Sequence, residues 1–594
     1  MSINIYDMKF FQFLGFHKKP KAPWAKYYDK KDMNLKIPNM SLYQYFRNCT
    51  RNIGDRIAFD YYGAKTTYDQ LYREITLCAK AFLKQGIRRG DVVTICMPNT
   101  PEGIICFLAL NKIGAVSNMI HPLSSENEIK DTLIATSSVM LVMIDIDYVK
   151  VKNIIKDTEV FRVICVRASD SMPWLLKMGY LVTQGRKTEL PKKKDPFYLT
   201  WKEFLESGKN YVNHRYNYSH SKGDPAVMLH SGGTTGTPKA IVLSNANFIV
   251  LILQIKIRLT DLEPGDKCLA IMPIFHGFGL GVCVYAALCL KATCILVPQF
   301  NALEFDKLLD RYKPEFVIGV PTLFEALMEI KNDHLRLDYL KYVISGGDVL
   351  KPAVEEQINQ FLADHGAKIK IIQGYGMSEC LSAVALNFKE SPKPGTIGIP
   401  FPGCYMGIFS PEDEELPYGV EGEICVCGPN VMLGYYNNEK ETNEVLHLHK
   451  DGNIWLHSGD LGSMDRNGYI TYTGRIKRMI ISSGYNIYPN QIENVLEEYP
   501  AVMLSSAIGV PHPYKGEVVK VFLVLKKGYT WSKQLEEELR ELCKKNLPRY
   551  SLPAEYEVRK ALPKTMIGKV DFRKLQQENK EERERERNEA NKKV

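Results

Sequence analysis

His230-Ser231-Gly232-Gly233-Thr234-Thr235-Gly236-Thr237-Pro238-Lys239 is the stretch on which the reading of this chain turns. Three glycines allow the backbone to fold closely around a ligand, four hydroxyl side chains line the loop, and Lys239 adds a point charge. That is the composition of a phosphate cradle. Apolar residues flank it, from Pro225 to Leu229 before and from Ala240 to Leu243 after, so the loop is expected at the tip of a strand pair. The Gly-Lys-Ser/Thr ending and following helix of the common P-loop are missing. A flexible connector has similar composition, so the rest of the chain must decide.

With 594 residues, the chain calls for roughly three to four units of ~150 residues. Its 45% hydrophobic and 24% charged residues are those of a folded globular protein. The net charge of +9 is a mild excess, compatible with anionic ligands or a lipid surface, and gives no sign of a nucleic-acid partner. The 14 cysteines include no Cys-x-x-Cys pair, which favours thiols in a reducing cytoplasm over a disulfide framework or zinc site. Phe10 to Phe16 is apolar but short and runs into His17-Lys18-Lys19, unlike a secretory signal. The apolar run from Gly277 to Leu290 stops at Lys291, short of the ~18 residues of a membrane span. A cytoplasmic location is expected.

From 41 to 150 helices and strands alternate: a helix from Ser41 to Arg51, a longer one from Thr67 to Gln85, a strand from Asp91 to Met97, and a helix opened by Pro98-Asn99-Thr100-Pro101-Glu102. That rhythm predicts an α/β fold with mostly parallel sheets. Residues 168–199 interrupt it with the apolar segment Pro173 to Val182, followed by Arg186, Lys187, Lys192, Lys193 and Lys194. Two readings stay open there: a surface insertion with a solvated basic tail, and an amphipathic patch in peripheral contact with an anionic membrane. Further on, buried strands Phe316–Val320, Tyr342–Ser345 and Ile369–Gln373 end in Pro321-Thr322, Gly346-Gly347 and Gly374-Tyr375-Gly376-Met377-Ser378-Glu379, as a site beyond the carboxyl edge of a sheet requires. His276, among aromatics and glycines, is either a packed core residue or the mouth of an apolar pocket. Short strands and turns at about 400–475 predict a β-rich subdomain, Met479 to Leu575 an α+β unit, and Glu578 to Val594 a solvated helix or a disordered tail.

Several motifs fall in one order: Ser231 to Lys239, Pro273 to Gly277, Gly346-Gly347, Tyr375 to Glu379, Gly422-Glu423 with Gly434-Tyr435-Tyr436-Asn437, Ser458-Gly459-Asp460, Gly474-Arg475-Ile476-Lys477, and Pro563 to Lys569. Together they resemble the acyl-adenylate-forming (AMP-binding) superfamily, most of all the medium- and long-chain fatty acyl-CoA synthetases. The resemblance runs from about residue 40 to 575. It implies a large N-terminal domain of αβ-layered sheets with a β-rich subdomain (1–476), a small mobile α+β C-terminal domain (477–577) and a charged tail (578–594). It also implies ATP, Mg2+ and coenzyme A, and a two-step reaction: a carboxylate gives acyl-AMP and pyrophosphate, then the coenzyme A thiol displaces AMP.

Site roles follow from the same resemblance. Ser231, Gly232, Gly233, Thr234, Thr235, Gly236 and Lys239 would neutralise the triphosphate. Glu379 would bind the metal, with Ser378 keeping the hydroxyl of the usual threonine. Gly346, Gly347, Gln373, Gly374 and Tyr375 would face adenine. Asp460 would accept from the ribose hydroxyls, with Arg475 beside it. His276, Val320 and Gly376 would meet the acyl substrate. Lys569 would bridge carboxylate and α-phosphate in the first step. Lys477 would be the hinge about which the last domain turns, bringing Gly484 to the pantetheine arm of coenzyme A. One departure stands out: Asn245 follows Ser244 where many members carry histidine. Rival readings are an adenylating enzyme that loads a separate carrier protein, since no carrier domain is seen after Lys569, and a nucleotide-binding scaffold that has lost activity.

Overall fold

The computed structural model describes residues 5, 13 and 15–592, except 184, 187, 192–194, 196, 213–219, 232–238, 331, 483–484 and 565–569. The chain divides into two compact units. The first comprises Met1–Met406, Val426–Leu456 and Asn467–Tyr469, the second Gly407–Cys425, His457–Arg466 and Ile470–Val594.

The first unit is built on two mixed sheets. One has nine strands in the order Ile399–Pro400, Ala383–Leu386, Ile371–Gly376, Tyr342–Ser345, Phe316–Gly319, Lys267–Ala270, Thr293–Leu296, Ile57–Tyr61 and Ala64–Thr67. Its central pairs are parallel and its edges antiparallel. The other has eight, in the order Gly434–Tyr435, Lys239–Ser244, Pro225–Ser231, Val116–Ile120, Val92–Cys96, Met140–Ile144, Arg162–Val166 and Tyr198–Thr200. Parallel central strands buried on both faces need unbroken apolar sequence, and Val92–Cys96 and Met140–Ile144 are buried at every position. Leu269, Ile295, Phe305, Val317, Val343 and Ile371 form one core against the longer sheet.

Helix starts obey local chemistry. Ser41, Thr67, Ser125, Thr200 and Ser244 each close a capping box, and Thr100 caps the helix Pro101–Ile113 with proline in its first turn. The expected strand pair around the phosphate loop is present: Pro225–Ser231 runs antiparallel to Lys239–Ser244, with Ser231 opposite Lys239. The apolar run after Gly277 is helical, π-helical over Phe278–Ala286 and α-helical over Ala287–Cys289. Two strands run on through glycine-containing motifs. Ile371–Gly376 continues past Gln373 because Gly374 to Gly376 pair antiparallel with residues 383–386. Ile454–Met464 runs through Ser458-Gly459-Asp460, with Gly459 at φ +70° and a register shift between Leu461 and Gly462.

The second unit is α+β. A sheet in the order Tyr485–Ile487, Ile480–Ser482, Gly516–Leu525 and Val502–His512, with Glu555–Val558 parallel to Gly516–Leu525, packs helices Pro489–Glu497 and Lys533–Asn546 over Ile480, Ile492, Leu496, Val521 and Leu539. The charged tail continues the helix Phe572–Lys592, whose Arg583 pairs with Glu555.

Candidate active site

Register brings three strand ends of the nine-stranded sheet level. Gly319 lies opposite Ser345, and Ser345 opposite Gln373. Val320, Gly346-Gly347 and Gly374-Tyr375 therefore leave the carboxyl edge side by side, where the chain can curve around a ligand. Gly347 has φ +78°, and a Cβ on Gly346 would lie 3.3 Å from the Phe278 ring. Gly376 has no alternative: a Cβ there would run into the Ser382 carbonyl. Gln373 and Tyr375 are buried, and Val320 is half-buried beside Gly347.

Just past this edge, Ser378 opens a short 3-10 turn, Ser378–Cys380, that presents Glu379. The Glu379 carbonyl accepts from the Met432 N–H at 2.8 Å. Two residues on, Gly434–Tyr435 is the edge strand beside Lys239–Ser244, with Tyr435 opposite Ile241. The Tyr435 hydroxyl donates to Glu379 Oε1 at 3.0 Å. Burial, reinforced by the Glu379 charge, holds the Tyr435 phenol well above its ordinary pKa, so it remains a donor. Lys239 Nζ sits 5.0 Å from the Tyr435 ring centroid and pairs with Glu441 at 2.6 Å. The two sheets of the first unit thus meet at a carboxylate, a phenol and an ammonium group.

An aromatic wall lies close by. Phe275 packs against His121 at 4.2 Å and against half-buried His276 at 4.8 Å between ring centroids. His230, which begins the phosphate-loop stretch, is half-buried; its Nε2 bonds Asn118 Oδ1 at 2.6 Å. Asn118 donates its amide protons to Thr94 and Thr136, so its oxygen accepts and His230 carries the proton on Nε2. Burial first and His276 second push His230 down to about 4, so it is neutral at physiological pH.

In the second unit Asp460 is buried opposite Arg475, whose Nε reaches Asp460 Oδ1 at 3.0 Å. Glu423 holds the approach: one carboxylate oxygen accepts from the Gly459 N–H at 2.7 Å and the other bonds His457 Nδ1 at 2.8 Å. The Asp460 N–H donates to Ser458 Oγ at 3.0 Å. Lys477 is exposed in the short 3-10 turn Ile476–Arg478. Expected site residues Gly232, Gly233, Thr234, Thr235, Gly236, Gly484 and Lys569 lie outside the described residues, and of Ser231 only the backbone is described.

Over residues 45–436 the sequence matches the family model described as AMP-binding enzyme, and over 491–569 that of the AMP-binding enzyme C-terminal domain. The chain belongs to the AMP-binding enzyme family. Among its relatives, a long-chain-fatty-acid–CoA ligase of Bacillus subtilis is 32% identical over 567 residues, covering 94% of this chain and 98% of that protein. One of the same name from Haemophilus influenzae is 31% identical, covering 91% and 94%. The fold matches ATP-bound MatB from Rhodopseudomonas palustris with a TM-score of 0.77 at 23% identity, covering 90% of this chain and 98% of that one.

Within the family frame, Asn245 has a structural task. It is buried, and its Oδ1 accepts from the Leu42 N–H at 3.0 Å and from Asn111 Nδ2 at 2.8 Å. The sequence reading assigned no role to Tyr435, Glu441 or Glu423. Tyr435 and Glu423 stand inside quoted motifs, whereas Glu441 has only a capping signal, its N–H donating to Asn438 Oδ1.

Proposed function

We propose that this family member is an ATP-dependent acid–thiol ligase acting on fatty acids. A carboxylate oxygen of the acid forms a bond to the α-phosphorus of ATP and the bond to pyrophosphate breaks, leaving acyl-AMP. The coenzyme A thiol then attacks the acyl carbon, loses its proton and expels AMP. The arrangement that carries this reading is the row of strand ends at Gly319, Ser345 and Gln373, beside a Glu379 carboxylate oriented by Tyr435.

The donor set fits Mg2+, which takes one or two carboxylates and completes its shell with phosphate oxygens and water. Glu379, with the Ser378 hydroxyl beside it, would hold the ion, which supplies charge neutralisation on the phosphates. Lys239 stands at the end of the phosphate loop with its charge balanced by Glu441. Gly346, Gly347, Gln373, Gly374 and Tyr375 offer a backbone-lined edge for the adenine. Asp460 suits the ribose hydroxyls as a two-oxygen acceptor, with Arg475 fixing its carboxylate. Phe275, His276 and Val320 supply an apolar wall for the acyl chain, and Gly376, where a Cβ would meet the Ser382 carbonyl, is assigned to the same substrate. Lys569 stabilises the charge growing between carboxylate and α-phosphate. Lys477 marks the hinge between 1–476 and 477–577, and Gly484 leaves room for the pantetheine arm.

The test is pyrophosphate release across straight-chain and aromatic carboxylic acids, with and without coenzyme A. Fatty acids should give acid-dependent release, with thioester only when coenzyme A is present. Lys569→Ala should abolish acyl-AMP formation and spare ATP binding. A folded sample that activates no carboxylic acid would overturn the reading.

A further inference from the structure

The interrupting segment at 168–199 folds into the helix Trp174–Val182, none of whose residues is buried. Successive helical residues turn by about 100°, so Trp174, Met178, Val182 and Leu175 fall within one arc of about 100°. These are the outward residues, with side-chain exposures of 72% for Trp174, 54% for Met178, 54% for Val182 and 66% for Leu175. Tyr180 lies on the other side; it, Lys177 and Leu181 are half-buried, Lys177 is turned toward Asp170 at 3.7 Å, and Leu176 is 49% exposed. The polarity is the reverse of an ordinary surface helix, which hides its apolar stripe and shows its charges. Such a contiguous apolar face on a folded chain marks a contact surface.

We propose that this helix seats the protein on an anionic lipid surface, with the Trp174–Leu175–Met178–Val182 face buried at the boundary of headgroups and acyl chains. Length settles the mode: nine residues extend about 14 Å, less than half the ~30 Å hydrocarbon core, so the helix lies in the plane of the membrane. Charge settles the lipid. Arg186 is exposed just beyond the helix, and the sequence goes on with lysines at 187, 192, 193 and 194. The intervening Glu189 is neutralised by Lys152 at 2.6 Å. Basic residues beside an inserted apolar face add attraction to anionic headgroups. The docking argument rests on the helix; its purpose, collecting an acid that partitions into membranes, rests on the fatty-acid reading.

The test uses the full chain with vesicles of phosphatidylcholine alone or of three parts phosphatidylcholine to one part phosphatidylglycerol. Of the five tryptophans, Trp24, Trp201 and Trp455 are buried and Trp531 half-buried, so a blue shift of emission on binding reports Trp174. Co-sedimentation should be at least roughly tenfold stronger with the anionic vesicles and fade with salt. Leu175→Glu with Met178→Glu should reduce it by roughly tenfold or more, each buried charge being costly, while pyrophosphate release with a water-soluble medium-chain acid stays at the wild-type rate. Equal binding to both vesicles, wild-type binding by the double variant, or a dimer lost in that variant without vesicle binding would each overturn the proposal. Loss of pyrophosphate release in the wild type with vesicle binding intact would instead count against the activity.

Discussion

Replacing Tyr435 by Phe removes one oxygen and leaves the ring in place beside Lys239. The lost bond is the 3.0 Å donation from the phenol to Glu379 Oε1. Hydrogen bonds to charged groups contribute about 1.5–3 kcal/mol. Glu379 is half-buried and keeps access to water, so the lower end applies to folding and the melting point should fall only slightly. The larger effect is on orientation. With that donor gone, the carboxylate is held by one bond fewer before Mg2+ binds, on the proposed assignment of the ion to Glu379. At about 1.4 kcal/mol per factor of ten, a loss near 1.5–3 kcal/mol raises the Mg2+ half-saturation roughly 10- to 100-fold. The assay is pyrophosphate release at saturating fatty acid and fixed ATP with Mg2+ varied, alongside Glu379→Gln, which should be inactive at every Mg2+ concentration. Tyr435→Phe should recover most of its activity at high Mg2+. An unchanged Mg2+ half-saturation, in a variant that melts like the parent, would refute the claim that the phenol orients the metal carboxylate.

Three further outcomes are expected. Gly376→Ala should lower stability by roughly 3 kcal/mol or more in urea unfolding, because the new methyl meets a backbone carbonyl that strand pairing holds in place; a loss under about 1 kcal/mol would show that the strands part easily. Glu423→Ala should raise the KM for ATP roughly tenfold by releasing both Gly459 and His457, and Glu423→Gln, which keeps an acceptor for Gly459, should do so less; equal KM values in all three proteins would remove Glu423 from the support of Asp460. Burial pushes the Glu102 carboxyl from 4.5 up to about 7, with the Ser171 hydroxyl bonding it at 2.6 Å. Its protonated form is the one the fold favours, so its contribution is complete below pH 4.5 and is lost as pH rises through 7, roughly 3 kcal/mol in all. Glu102→Gln should therefore match the parent at pH 4 and exceed it in thermal stability at pH 8, and parallel stability curves for the two proteins would contradict this.

What the sequence by itself determined is local. The hairpin around Ser231 and Lys239, the capped starts at Ser41, Thr67 and Thr100, and the buried strand ending at Ser345 were all legible, because caps, turns and apolar runs are set by residues within a few positions of one another. The same scale explains the misreading of Gly374–Gly376 as lying past the strand: pairing with residues 383–386 draws it into the sheet. Only the tertiary structure placed Tyr435 on Glu379, a contact between the two sheets of the first unit, and Glu441 on Lys239, across 56 and 202 residues of chain. It alone, too, turned the apolar side of Trp174–Val182 outward, since the direction a helix face points is decided by what packs beneath it and not by its own period.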